Sequence, residues 1–149
     1  AQIADIEGNI FSEAIWDAEI DDYSVELGQI EWKTGLCEDK VFILRLKLQS
    51  GSYEDENTYL FTVDSKNPLE PIRNLTKGEI ELKKAKDREW VVENNTDKAA
   101  VNIFVYGKNP EDFLKVYPNY FTLMPGEKKL LNISSQSSAV DKDSLLIMS

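Results

Sequence analysis

The chain has 149 residues, of which 42% are hydrophobic and 30% charged, and its formal net charge is −10. There are enough apolar side chains for a core, and the acidity leaves none of the basic footprint that nucleic acids and anionic membrane surfaces require. One cysteine, Cys37, and no histidine exclude an intrachain disulfide, a Ser-His-Asp or Cys-His site and the usual zinc ligand sets.

The hydrophobic period is mostly two. "NIFSEAIWDAEI", Asn9 to Ile20, reads as two strands or one bent strand, with a helix as the rival because Glu, Ala and Ile recur near helical spacing. "SVELGQIEW", Ser24 to Trp32, alternates as a strand with a bulge at Gly28. "KVFILRLKLQ", Lys40 to Gln49, puts Phe42, Leu44, Leu46 and Leu48 on one face of a half-buried strand. "SGSYEDE" reads as a polar, acidic loop, and "NTYLFTV", Asn57 to Val63, as the hairpin partner. Two prolines in "DSKNPLEPIRNLTKG", Asp64 to Gly78, mark a connector.

Strands then resume in "GEIELKKAKD", "REWVVEN" and "AAVNIFVYG", the last with Val101, Ile103 and Val105 on one face. "NPEDFLKVYPNYF" is irregular, and "EKKLLNIS" and "DSLLIMS" supply two further strands. The expected fold is all-β: two antiparallel β-sandwich units in tandem, residues 1–68 and 69–149. The second is immunoglobulin-like and complete, with Trp90, Ile103, Val105, Tyr120, Phe121 and Leu131 in its core. The first is short by a strand or two, which would expose an edge and part of its core. That shortfall suggests a piece of something longer. No apolar run is long enough to span a membrane, and "AQIADIEGNIF" has neither the basic start nor the apolar core of a signal peptide, so a soluble chain is expected.

In Met124-Pro125-Gly126-Glu127, Pro presets φ at position i+1 and Gly accepts a positive φ at i+2, which specifies a type II turn. The whole string "NYFTLMPGEKKLLNI" resembles the end of the C-terminal immunoglobulin-like domain of β-mannosidase-type enzymes, glycoside hydrolase family 2 in the broad sense. Asn119, Tyr120, Phe121, Leu123, Pro125, Gly126 and Glu127 match that motif. Pro118 and Thr122 stand where Asp is usual, and Met124 replaces a Leu. "ENTYLFTV" and "IADIEGNIFSEA" resemble parts of the carbohydrate-module-like sandwich that precedes the last domain in those enzymes.

The resemblance implies a parent retaining hydrolase of terminal β-linked sugars, mannose first. Its two glutamates lie about 5 Å apart on a (β/α)₈ barrel. Such a barrel needs roughly 250 residues, and this chain shows neither that length nor a βα rhythm. The implied role is a non-catalytic accessory region packed on the barrel of the same parent chain, with no catalytic residue, metal or cofactor of its own.

Sugar sites stack pyranose faces on exposed aromatics, and the candidates are Tyr53, Trp16 and Trp32, with Tyr106 and Tyr117 behind them. Tyr53 is the best exposed on its polar loop, and for all of them packing is the competing role. Trp90 belongs to the core. The acidic groups Asp21/Asp22, Glu38/Asp39 and Glu54/Asp55/Glu56 lack calcium-loop spacing and read as solvated charge. The sequons at Asn74, Asn94 and Asn132 read as chance. Two other readings stand beside the accessory one. One is a free-standing carbohydrate-binding protein, which a coplanar exposed aromatic strip on one sheet would favour. The other is a structural or adhesive tandem.

Overall fold

Ten consecutive cross-strand pairs, from Val41↔Thr62 to Ser50↔Tyr53, join β3 (Val41–Ser50) to β4 (Tyr53–Thr62). The computed structural model describes residues 1–19, 24–32, 41–63, 66–67, 70–73, 79–136 and 139–149. Over these residues the chain is all-β with antiparallel sheets, and it divides into two units, Ala1–Leu75 and Thr76–Ser149.

In the first unit, β1 (Gln2–Ala4) pairs with β2 (Ile10–Glu13) on one side and β3 on the other, giving the order β2-β1-β3-β4. The β1–β2 connection is held by Asp5, whose carboxylate accepts from Asn9 N at 2.7 Å and Asn9 Nδ2 at 2.8 Å. The Asp-x-x-Gly-Asn string is thus a turn device. The β3–β4 turn has two residues. Only Gly51 takes a positive φ, 60°, which is the pattern of a type II′ hairpin with Gly first.

Ile3, Phe42 and Ile43 are buried, but burial fades along the hairpin. Leu46, Leu48, Tyr59 and Phe61 are 39%, 54%, 46% and 40% exposed. Cross-strand register and the two-residue period put all four on the face that carries Phe42. Among the described residues this unit is therefore one sheet whose apolar face is covered only at the Phe42 end, and the half-buried face expected along Leu44–Leu48 is found in its first part alone.

A short helix, α1 (Glu70–Arg73), lies in the region expected to be a connector. In the second unit, β5 (Ile80–Lys84), β6 (Glu89–Asn94), β10 (Lys128–Ser134) and β8 (Lys115–Tyr117) form one sheet in that order. β11 (Leu145–Met148), β7 (Ala100–Gly107) and β9 (Phe121–Leu123) form a second. Alternation explains the core: Trp90, Val92 and Asn94 of β6 and Leu131 and Ile133 of β10 point inward, while Leu130 and Asn132, on either side of Leu131, are exposed. They meet Ala100, Ile103, Val105, Phe121, Leu123 and Leu145 of the other sheet in one apolar cluster, the interior of a sandwich.

Several expectations are corrected. Residues 24–32 form no strand: Val25 and Leu27 are exposed, so the alternation has no buried face to serve. The helical rival over Asn9–Ile20 is absent among the described residues, and one short strand, β2, stands there. "SGSYEDE" is a two-residue turn followed directly by strand. "NPEDFLKVYPNYF" contains the 3-10 helix Pro110–Asp112 and strand β8. Asn102, at φ 52°, accompanies a register shift in β7 that brings Ala100 inward with Ile103, while Val101 is only half-buried. Tyr120, expected in the core, is 74% exposed.

The Pro-Gly turn forms as its residues require. Gly126 has φ 73°, and Glu127 N donates to Met124 O at 3.1 Å. No atom lies within 4 Å of a Cβ built at Gly126, so a side chain there meets backbone strain and nothing else. Gly126→Val should cost about 1–3 kcal/mol. Gly126→Asn should cost much less, since Asn tolerates the left-handed region. Denaturant midpoints of the two variants check this, and equal midpoints would refute the turn's strain.

Candidate functional site

The matching string Asn119–Glu127 works as a clamp. Asn119 Oδ1 accepts from Val105 N at 2.9 Å and from Tyr120 N at 3.2 Å, while its Nδ2 donates to Val105 O at 3.0 Å. One side chain thus occupies both backbone groups of a β7 residue, as a neighbouring strand would. Phe121 enters the core, and Glu127 Oε2 accepts from Met124 N at 3.0 Å across the Pro125-Gly126 turn. The turn is tied to β6 by Gly126 N→Asn94 O at 2.9 Å and Asn94 N→Glu127 O at 3.0 Å.

Asn94 is the residue that sequence reasoning missed. It is fully buried, its Nδ2 donates to Lys98 O, Leu123 O and Met124 O at 2.8–3.2 Å, and its Oδ1 accepts from Thr96 N and Oγ1. The available signal was its register: it continues the inward series Trp90, Val92. In the folded chain this sequon nitrogen is committed to the protein interior. Asn132 is exposed, and Asn74 lies outside the described residues.

Beside the clamp is an open cleft of about 680 Å³, lined by Phe104, Tyr106, Asn109, Phe113, Lys115 and Tyr120 among others. Phe104 and Tyr106 are two apart on the outer face of β7, and their rings stack at 5.3 Å and 24°. Tyr120 stacks on Phe104 at 5.5 Å and 17°. Phe104 therefore lies between two tyrosines in a nearly parallel row. Phe113 and Tyr120 take left-handed φ values of 42° and 58°, and both side chains are turned to solvent, 68% and 74% exposed. Tyr120 turns outward immediately before the buried series Phe121–Leu123. Tyr117, beside the cleft at the end of β8, is 79% exposed.

The structure does not bring together Tyr53, Trp16 and Trp32. Trp32 packs on Phe42 at 5.3 Å and on Phe61 at 5.0 Å. Tyr53 is 58% exposed but begins β4, so it lies on a strand and not on a loop. Eight residues separate it from Phe61, roughly 27 Å along the strand, too far to share one sugar with Trp32. Trp16 is half-buried against Gly28, where a Cβ would come 2.6 Å from Trp16 Nε1. Gly28 also has φ 142°. Gly28→Ala should therefore cost about 1–3 kcal/mol and shift the tryptophan emission. An unchanged melt and spectrum would refute the contact.

The acidic groups do not form a site. Asp21/Asp22 and Glu38/Asp39 lie outside the described residues. Strand period sends Asp55 to the opposite face from Glu54 and Glu56, and Glu56 pairs with Arg45 at 3.3 Å and Lys47 at 3.7 Å. Among the described residues no three His, Cys, Asp or Glu side chains group to hold a metal. Hydrogen bonds from Lys83 and Lys128 hold the half-buried Glu81 and Glu93 carboxyls, respectively, below the usual range, and Glu81 in turn raises Lys83. These shifts favour the charged forms, the reverse of what a general acid requires. No protein-family model matches the chain, and no curated protein is significantly similar to it.

Proposed function

We propose that this chain is a non-catalytic accessory region of a β-mannosidase-like glycoside hydrolase, packing on the catalytic barrel of the same parent protein. The observation that carries this reading is the open apolar face of the first sheet. Leu46, Leu48, Tyr59 and Phe61 lie together on it at 39–54% exposure. Contiguous apolar surface of this kind marks a face that another piece of protein covers. The resemblance of the Asn119–Glu127 string adds the family. The gene upstream of Ala1 tests the proposal: a segment of roughly 250 residues with a βα rhythm and paired glutamates supports it, and any other upstream sequence overturns it. The purified chain alone should release no nitrophenol from an aryl β-mannoside. Release that disappears on changing one of its carboxylates would overturn the non-catalytic role.

A second reading, a carbohydrate-binding β-sandwich protein, is favoured by the parallel row Tyr106, Phe104 and Tyr120 on the outer face of β7. It does not exclude the first, because an accessory region can hold the sugar that its parent cleaves.

A further inference from the structure

We infer that the cleft beside β7 is a carbohydrate-binding site whose platform is Tyr120 and Phe113. This rests on the carbohydrate reading and is independent of the parent hydrolase. The first argument is backbone strain. Two bulky aromatic residues hold left-handed φ values that favour Gly or Asn, and each spends that conformation on turning its ring to solvent. Phe113 ends the 3-10 helix Pro110–Asp112 and Tyr120 stacks on Phe104, yet neither local role needs an aromatic ring so far into solvent, and a left-handed aromatic kept there points to use.

The second argument is ring geometry. Phe104 is stacked between Tyr106 and Tyr120, so Tyr120 is held at a fixed tilt and keeps one face free. Asn119 locks the segment below it through three hydrogen bonds. A preorganised ring loses little freedom when a ligand stacks on it.

The third argument is the chemistry of the opening. The cleft is wide, and its rim offers Asn109, Lys115 and two tyrosine hydroxyls. Tyr106 Oη donates to Met148 Sδ at 3.3 Å, which leaves its oxygen lone pairs for a donor in the ligand. A pyranose has one apolar C–H face and a rim of hydroxyls that stay wet, so an open aromatic cleft with a few polar groups suits it. An aliphatic peptide anchor would need enclosure on all sides. Among the described residues Lys115 is the one charged side chain lining the cleft, and the chain's net charge of −10 repels polyanions, so the ligand is a neutral oligosaccharide.

The experiment is an amide-shift titration of the whole chain with β-1,4-mannohexaose, cellohexaose and maltohexaose, run to about 10 mM. A proline-rich decapeptide is the fourth arm. The expected result is saturable shifts with at least one hexaose, confined to amides of 104–107 and 113–120. Tyr120→Asn and Phe113→Asn remove the rings while tolerating the backbone, and each should weaken binding roughly tenfold or more with the melting midpoint kept. Saturable sugar shifts at Tyr53, Trp16 or Trp32 instead would overturn this site and leave the carbohydrate reading standing. No shift with any hexaose would overturn both. Response to the peptide alone would make the cleft a peptide groove and overturn the inference, as would sugar affinity unchanged in both variants.

Discussion

Asn94→Ala should destabilise the second unit by about 3–5 kcal/mol, beyond the range of most single substitutions. The substitution removes a fully buried amide and its bonds to the carbonyls of Lys98, Leu123 and Met124 and to Thr96 N. Lys98 O keeps Thr96 Oγ1 and Met124 O keeps Glu127 N, so the loss falls most on Leu123 O and Thr96 N. Groups deprived of their partner inside a protein keep their desolvation penalty in full. Asn94→Asp should be worse at neutral pH, because a carboxylate would face three carbonyl oxygens. Urea denaturation followed by Trp90 fluorescence measures both. A loss under about 1 kcal/mol for Asn94→Ala would mean that water replaces the amide and that the side chain does not hold the Pro-Gly turn to β6.

Trp90→Ala should cost a similar amount, about 3–5 kcal/mol. Trp90 is fully buried, opposite Leu131 in the β6–β10 ladder, with the Lys84 ammonium 5.5 Å from its ring centre. Trp90→Phe should be far milder. The indole Nε1–H is buried with no hydrogen-bond acceptor, and an orphaned donor costs about 1–3 kcal/mol. Phenylalanine loses some packing but also removes that donor, so the two terms oppose each other. Equal losses in the two variants, read from urea transitions followed by far-ultraviolet circular dichroism, would show that the indole proton is satisfied in solution.

The period of two carried most of the fold into view from the sequence. It located β3, β4, β5, β6, β7, β10 and β11, because a strand with one buried face must alternate. It failed where alternation is not the governing constraint. Ser24–Trp32 alternates but forms no strand among the described residues. Tyr53–Glu56 reads as loop because acidic residues are rare in strands, yet an edge strand with a solvent face accommodates them. Tyr120 was misplaced because no pattern in "PNYFTL" announces a left-handed residue that is not glycine. For the same reason the aromatic row was only half legible: Tyr106 and Tyr117 stood out as exposed rings, whereas Phe104 and Phe113 became partners only once β7 and β8 were seen beside the clamp. The clamp's turn was legible from Pro125 and Gly126. Its anchor, Asn94, was not, since a turn-rich "NNTDK" explained that asparagine without reference to anything distant.

The acidic run of β4 bears on how this protein avoids itself. Among the described residues β4 is the outer strand of its sheet, ten residues long, with Tyr53, Tyr59 and Phe61 exposed. Such an edge is a template on which a second copy can add a strand and seed aggregation. Glu54, Asp55 and Glu56 sit on that template, so an arriving strand of the same sequence brings three carboxylates toward three others. The residues that look like loop filler act as a guard against fibrillar growth, and replacing Glu54 and Asp55 with threonine should turn a well-behaved solution into one that scatters light on standing.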